Sequence, residues 1–274
     1  MRQRDRAICL AATDYSETSQ VVHFLTRAGG VVRLLAKGAK RPKARSGGAI
    51  DLLAEGELVL IASRGEGLGT LVEFTETDSR GPMRKSAAAL NAGLYMVELV
   101  GRMVADADPH PEVFDLLHNS LARLSEPGAP LSAVVAYFQW RLLRHVGLLG
   151  RLRRCVSCGT PVGGWHASAP RQARDHKTSR SMAAGPAGRD VYFSSRLGGL
   201  LCGACEGAAA EKYRLDGQAL AGLAALAAAE AGTRVNLPAR QADRVNRLLA
   251  YHVTEQTGKP LRMARYVLST ARSR

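Results

Sequence analysis

Aromatic side chains are scarce, with 7 Tyr, 5 Phe and 2 Trp in 274 residues, so stacking surfaces must be few and the core mostly aliphatic. Long apolar runs are missing too. The most apolar stretch, 219–231, is mostly alanine and falls short of the roughly 18 residues that cross a bilayer, which excludes a membrane-spanning helix. Behind Arg2, Arg4 and Arg6 the apolar segment 7–12 is cut off by Asp14, too short for a signal-peptide core, so a cytoplasmic location is expected. Catalytic patterns are lacking as well. Acidic residues stand singly, with no carboxylate pair of the kind a two-metal nuclease needs. The run Gly65-Glu66-Gly67-Leu68-Gly69 lacks the Lys-Ser/Thr of a phosphate loop and reads as a hairpin turn. The seven histidines have no metal-ligand spacing, and His23 and His145, beside apolar positions, read as core or boundary residues. No enzyme is expected.

What the chain has in excess is positive charge: 38 Lys+Arg against 24 Asp+Glu, a formal net charge of +14. Such an excess either draws a polyanion or reflects a general arginine bias, and its distribution separates the two. Residues 1–80 hold 12 basic and 10 acidic side chains, and residues 81–140 hold 4 and 6. Residues 141–214 hold 13 and 4, and residues 215–274 hold 9 and 4. Within the first segment Arg27, Arg33, Lys37, Lys40, Arg41, Lys43 and Arg45 occupy 19 consecutive positions free of acid. The charge clusters, which favours a polyanion site.

Periodicity divides the chain. Residues 1–80 hold five short β-branched or apolar runs, at 7–12, 20–26, 31–37, 57–62 and 69–76, separated by Gly and polar breakers. That pattern predicts a small five-stranded barrel of the OB-fold type. From Arg84 the period becomes helical: Leu90, Leu94, Val97, Val100 and Val104, then Val113, Leu116, Leu117, Leu121 and Leu124. A third helix is predicted over 131–146, with Arg141 and Arg144 off its apolar stripe. Alanine-rich helices are expected at 206–214 and 217–231, and a last helix at 239–257. Residues 166–190, rich in Ser, Ala, Arg, Pro and Gly, read as an exposed polar loop. The fold class is therefore α+β, organised as a barrel at 1–80, a helical domain at 81–150 resuming at 208–274, and a cysteine-bearing module at 151–207 between its two parts.

Four of five cysteines form two Cys-x-x-Cys pairs, Cys155/Cys158 and Cys202/Cys205, with 43 residues between them. Disulfides are disfavoured in the cytoplasm, and two such pairs supply four sulfurs for one structural zinc ion. A redox pair or an iron–sulfur cluster would draw on the same residues. Arg151, Arg153 and Arg154 offset thiolate charge, and Cys9, in an apolar strand, reads as a core residue.

The segments 14–22, 24–27 with Gly29-Gly30, and above all 36–43 (Ala-Lys-Gly-Ala-Lys-Arg-Pro-Lys) resemble the RecO family of DNA repair proteins. Further matches are 138–143 leading to Gly147 and Cys155, Gly198-Gly199-Leu200-Leu201-Cys202, and 258–261. The resemblance implies an OB-fold, a helical domain and an inserted four-cysteine zinc module. It also implies a non-catalytic mediator that binds single- and double-stranded DNA, anneals complementary strands and helps load recombinase RecA with RecR on strands covered by single-strand-binding protein. The residues themselves make Arg33, Lys37, Lys40, Arg41, Lys43 and Arg45 the nucleic-acid-binding candidates, a loop whose Gly and Pro keep it out of a helix so that its cations can follow a phosphate chain. Tyr15, in a turn, is the candidate stacking residue, and Phe24, mid-strand, is expected in the core. Arg141 and Arg144 are candidates for the acidic tail of single-strand-binding protein. The competing reading is a zinc-ribbon RNA-binding or translation-associated module.

Overall fold

The computed structural model describes residues 2–41, 44, 48–63, 67–150, 152–162, 190–230 and 232–268. Lys43, Arg45, Arg151 and all but the last residue of the expected 166–190 loop lie outside the described residues. Five strands form first: β1 (Arg2–Asp14), β2 (Gln20–Thr26), β3 (Gly30–Ala36), β4 (Glu55–Ile61) and β5 (Gly69–Asp78). They close in the order β1-β2-β3-β5-β4, with antiparallel pairing throughout except at the short parallel β3–β5 seam. The expected five-stranded barrel is present. Alternation explains its interior: Cys9, Phe24, Leu34, Leu58 and Phe74 point inward, and the Phe24 and Phe74 rings lie 5.2 Å apart. Burial drives the Cys9 thiol up to about 12, so it is inert.

The helical part comprises α1 (Gly81–Arg84), α2 (Ala87–Met103), α3 (Pro111–Leu124), α4 (Leu131–His145), α5 (Gly217–Ala228), α6 (Ala239–Thr257) and α7 (Ala264–Val267). α4 is buried nearly all round, because α2, α3 and α6 pack against it. Its Gln139 is wholly buried and paired at both ends of its amide, accepting from Tyr95 Oη at 2.7 Å and donating to Asn246 Oδ1 at 2.8 Å. Such a line of paired polar groups fixes the register of α4 against α2 and α6.

Outward-facing residues of β1, β2 and β3 (Ile8, Leu10, Leu25, Val31) belong to the helical core, so around these positions the strands are buried on both faces. Gly30, at φ 72°, permits the approach: a Cβ there would stand 2.2 Å from the Asp108 carbonyl oxygen. Charges complete the junction. Arg27 grips Asp115 with two bonds of 3.1 and 3.0 Å. Glu55, buried in β4, accepts from Arg6 at 2.7 Å, from Arg80, and meets His118 Nδ1 at 2.7 Å.

Three short strands, β6 (Val191–Ser194), β7 (Gly199–Cys202) and β8 (Tyr213–Leu215), form a second sheet in the order β7-β6-β8. The helix expected at 206–214 does not form. A 3-10 turn over Gly203–Ala208 carries the end of the second cysteine pair, and Tyr213–Leu215 then pairs with β6, so sheet pairing overrides alanine propensity. The sheet is pinned to α6 through His252. Burial, the main cause, lowers the pKa of His252 and keeps its ring neutral; Nε2 donates to the Leu148 carbonyl at 2.9 Å, and Nδ1 accepts from the Ser195 hydroxyl.

Candidate nucleic-acid interface and metal centre

The β3–β4 loop leaves the barrel at Lys37. Ala39 and Ile50 plug into the barrel core and hold the loop's two ends. Gly38, at φ 67°, makes the turn, and the Arg41 N–H closes it on the Gly38 carbonyl at 3.0 Å. Three contacts fasten this loop to the β1–β2 turn: the Gly38 N–H donates to Ser19 Oγ at 3.2 Å, the Lys40 N–H donates to the Thr18 carbonyl at 3.1 Å, and Lys40 Nζ lies 2.6 Å from the Asp14 carboxylate. Between turn and loop runs a groove of about 300 Å3 lined by Tyr15, Ser16, Thr18, Ser19, Lys37 and Arg41. Tyr15 is 66% exposed, whereas Phe24 is wholly buried, as their positions in turn and strand predict.

The structure thus divides the candidate cations. Lys37 and Arg41 are exposed and share the groove with Tyr15. Lys40 is engaged by Asp14. Arg33 lies roughly 13 Å back along β3 at about 3.3 Å per residue, paired with Asp106 at 2.8 Å beside a separate cavity of about 930 Å3. Sequence reasoning missed Asp14, Thr18 and Ser19 as the fasteners of the groove. Their only signal was their place in the turn that carries Tyr15.

The four paired cysteines converge, with all Sγ atoms within 4.8 Å of one another. Gly159, at φ 73°, lets its N–H reach the Cys155 carbonyl at 2.9 Å, and the Cys155 N–H reaches the Thr160 carbonyl at 2.8 Å. The first knuckle meets the second where the Val156 N–H donates to the Leu200 carbonyl at 2.8 Å. Bonds of about 2.3 Å from a tetrahedral zinc ion to sulfur imply sulfur–sulfur edges of about 3.8 Å, and Cys158 Sγ stands 3.7 Å from Cys202 Sγ. Hydrogen bonds from Thr160, side chain first and backbone second, pull the Cys158 thiol down to about 6, while bonding to Cys158 pushes Cys205 up to about 12. Four thiolates gathered this closely repel one another, so the set needs a cation to hold it. The donor set and spacing therefore fit a metal ion.

Arg141 and Arg144 lie over different rings of α4. Arg141 lies over the Tyr137 ring at 5.9 Å and Arg144 over the Trp140 ring at 5.7 Å. Of the two, Arg144 alone lines a cavity of about 250 Å3, which it shares with Trp140, Leu152, Arg153 and Ala227. Arg153, expected as a counter-charge to the thiolates, is the second cation of that cavity.

Residues 1–80 match the family model Recombination protein O N terminal, and residues 84–183 match Recombination protein O C terminal. The chain belongs to the RecO family. RecO relatives extend the match over almost the whole length: the DNA repair protein RecO of Myxococcus xanthus (strain DK1622) is 28% identical over 264 residues, 95% of each chain. That of Anaeromyxobacter dehalogenans (strain 2CP-C) is 30% identical over 72% of this chain and 68% of its own. That of Bacillus pumilus (strain SAFR-032) is 30% identical over 60% of this chain and 63% of its own, so this last match spans under two thirds of the relative. The boundary between the two family models, at residues 80 and 84, falls where the barrel gives way to the helices. Among the described residues no helix is long and apolar enough to cross a membrane.

Proposed function

We propose that the chain is a DNA-binding mediator of recombinational repair that acts by binding and not by catalysis. The observation that carries this reading is the groove that joins Tyr15 to Lys37 and Arg41 on the barrel of a RecO-family chain. Cations contact phosphates of single- and double-stranded DNA alike, giving affinity without sequence preference. Neutralising two complementary strands together removes their repulsion and allows annealing, after which RecR and the chain help load RecA on strands released by single-strand-binding protein. Cys155, Cys158, Cys202 and Cys205 hold one structural zinc ion, with no open position for catalysis. The protein works in the cytoplasm, at the nucleoid.

Replacing Lys37 and Arg41 together with Ala is expected to weaken binding to DNA of any sequence. The slope of log K against log salt should fall by about 1.4 to 1.8, at roughly 0.7–0.9 for each phosphate left without its cation. Fluorescence anisotropy over a salt series measures both, and an unchanged slope would remove the assignment. Annealing of two complementary labelled oligonucleotides, with and without single-strand-binding protein, separates this reading from an RNA-binding zinc-ribbon module, which would not accelerate it.

The cavity beside α4 suits the acidic tail of single-strand-binding protein, since Trp140, Leu152 and Ala227 offer an apolar floor and Arg144 and Arg153 two guanidinium groups. Arg144→Ala with Arg153→Ala is expected to weaken a labelled tail peptide about tenfold or more, as loss of charge-assisted hydrogen bonds entails. Arg141→Ala, outside the cavity, should change little; equal losses from both would refute this site.

A further inference from the structure

The three aromatic or cationic members of the barrel groove are unlike in what they offer. Tyr15 presents an exposed ring, whereas Lys37 and Arg41 present charge. Every nucleic acid carries phosphates, so the two cations serve a single strand and a duplex equally. A ring face is different. In a duplex each base has both faces covered by its neighbours, and taking one out costs a few kcal/mol. A single strand has unstacked bases whose faces are free, and an exposed aromatic side chain can take them. The groove, of about 300 Å3, places that ring beside the two cations.

The remaining question is what holds Tyr15 against the cations. It lies in the turn between β1 and β2, where its N–H and that of Ser16 both donate to the Ser19 carbonyl, at 2.9 and 3.2 Å. The turn is fastened to the loop through the Lys40 N–H on Thr18, the Gly38 N–H on Ser19 Oγ, and the ion pair of Lys40 with Asp14. Of these fasteners, Lys40 alone joins turn and loop by both its backbone and its side chain. That side chain is only 27% exposed and its charge is already neutralised by Asp14.

From this division of labour, which rests on the DNA-binding reading above, we infer that Tyr15 sets the preference of the barrel for single-stranded over double-stranded DNA by stacking on an unpaired base. Lys40 is a positioning residue that holds Tyr15 beside Lys37 and Arg41, and is not itself a phosphate contact. The cations supply affinity common to both substrates, and the tyrosine supplies the difference between them.

The test uses the full chain, an unstructured oligothymidine and a blunt duplex, each titrated by fluorescence anisotropy across a salt series. Tyr15→Ala is expected to weaken the single strand roughly five- to a hundredfold while the duplex affinity and both salt slopes stay as they were. Tyr15→Trp restores single-strand binding, because it restores a ring face. Lys40→Met, which keeps the aliphatic stem, is expected to weaken the single strand only and to leave both slopes unchanged; a phosphate contact at Lys40 would instead lower both slopes by about 0.7–0.9. Equal losses on both substrates for Tyr15→Ala, no loss at all, or a lowered slope for Lys40→Met would overturn the inference. The Lys37→Ala, Arg41→Ala variant serves as the reference in the same titrations. If it weakens both substrates while Tyr15→Ala weakens neither, the stacking role falls and the DNA-binding role of the loop stands. If it changes neither substrate, the DNA-binding reading falls and takes the inference with it.

Discussion

Replacing Glu55 with Leu is expected to destabilise the protein by about 3–5 kcal/mol, because it strips a buried arginine of its closest counter-charge. The Glu55 and Arg80 side chains are 4% and 3% exposed, and the carboxylate also collects Arg6 and His118. After the substitution Arg80 keeps the Asp78 carboxylate, at 2.8 Å on the half-exposed edge of the cluster, and the His118 ring at 3.5 Å, but no buried counter-charge. At about 2–4 °C per kcal/mol for a chain of this size, the melting temperature should fall by roughly 10 °C. A second variant guards against a purely steric explanation. Substituting Glu55→Leu and Arg80→Met together removes the pair as a unit, and such replacements by apolar groups of similar volume are often neutral. Thermal denaturation followed by circular dichroism should therefore show the double variant more stable than the single one. A double variant less stable than Glu55→Leu would sink this account. The same cluster joins β1, β4, the Asp78–Arg80 segment and α3, so its loss should also raise hydrogen exchange along the barrel–helix junction.

Breaking the four-cysteine cluster is the second large expected effect. Cys155→Ser is expected to abolish zinc binding, measured by elemental analysis of the purified chain, and to lower stability by about 4 kcal/mol at free metal roughly a thousandfold above its dissociation constant. Cys155 is the buried member of the set, 2% exposed, whereas Cys158 stands in solvent. A serine at 155 therefore leaves a hydroxyl in a site built around sulfur, while Cys158→Ser should cost less. Adding zinc should raise the melting temperature of metal-stripped wild-type protein and leave that of Cys155→Ser unmoved. Identical responses of the two would mean that the four sulfurs do not bind the ion together. The barrel interior does not share a core cluster with the cysteines, so the groove of Tyr15, Lys37 and Arg41 should survive the loss.

The strands are legible in the sequence because their side chains alternate and their turns carry Gly and polar breakers. Gln20–Thr26 and Ala239–Thr257 have the bounds their patterns predict. α6 is bracketed by Pro238 at its start and by Gly258, at φ 69°, at its end. The apolar pattern places the first strand at 7–12, whereas the strand begins at Arg2. Arg2 to Arg6 extend it while pairing with β4 alone and lying mostly in solvent, so no apolar alternation marks them. The alanine-rich stretch at 206–214 misleads for the opposite reason. Its composition favours a helix, but Cys205 and the edge of β6 impose a tight turn and a strand, interactions that no local window contains.

The cation loop shows the same limit at the level of the site. Its acid-free run is visible, yet the run alone does not distinguish Lys37 from Lys40 or Arg33. Asp14 lies on the other side of two strands from Lys40, and Asp106 lies 73 positions beyond Arg33. Only folding decides which positive charges remain free to meet a phosphate.

By itself the amino-acid sequence determined the barrel, most of the helices, the two cysteine pairs that converge and the presence of a basic loop, because each is written in local periodicity, spacing or charge density. The scarcity of aromatics also left Tyr15 as the evident ring in the opening turns. The tertiary structure decided which cations are spent on ion pairs, that Tyr15 stands across a groove from Lys37 and Arg41, and that Arg144 is joined by Arg153 and not by Arg141. Most of these are contacts between segments far apart in the chain, and their energies depend on burial and distance, which exist only once the chain has folded.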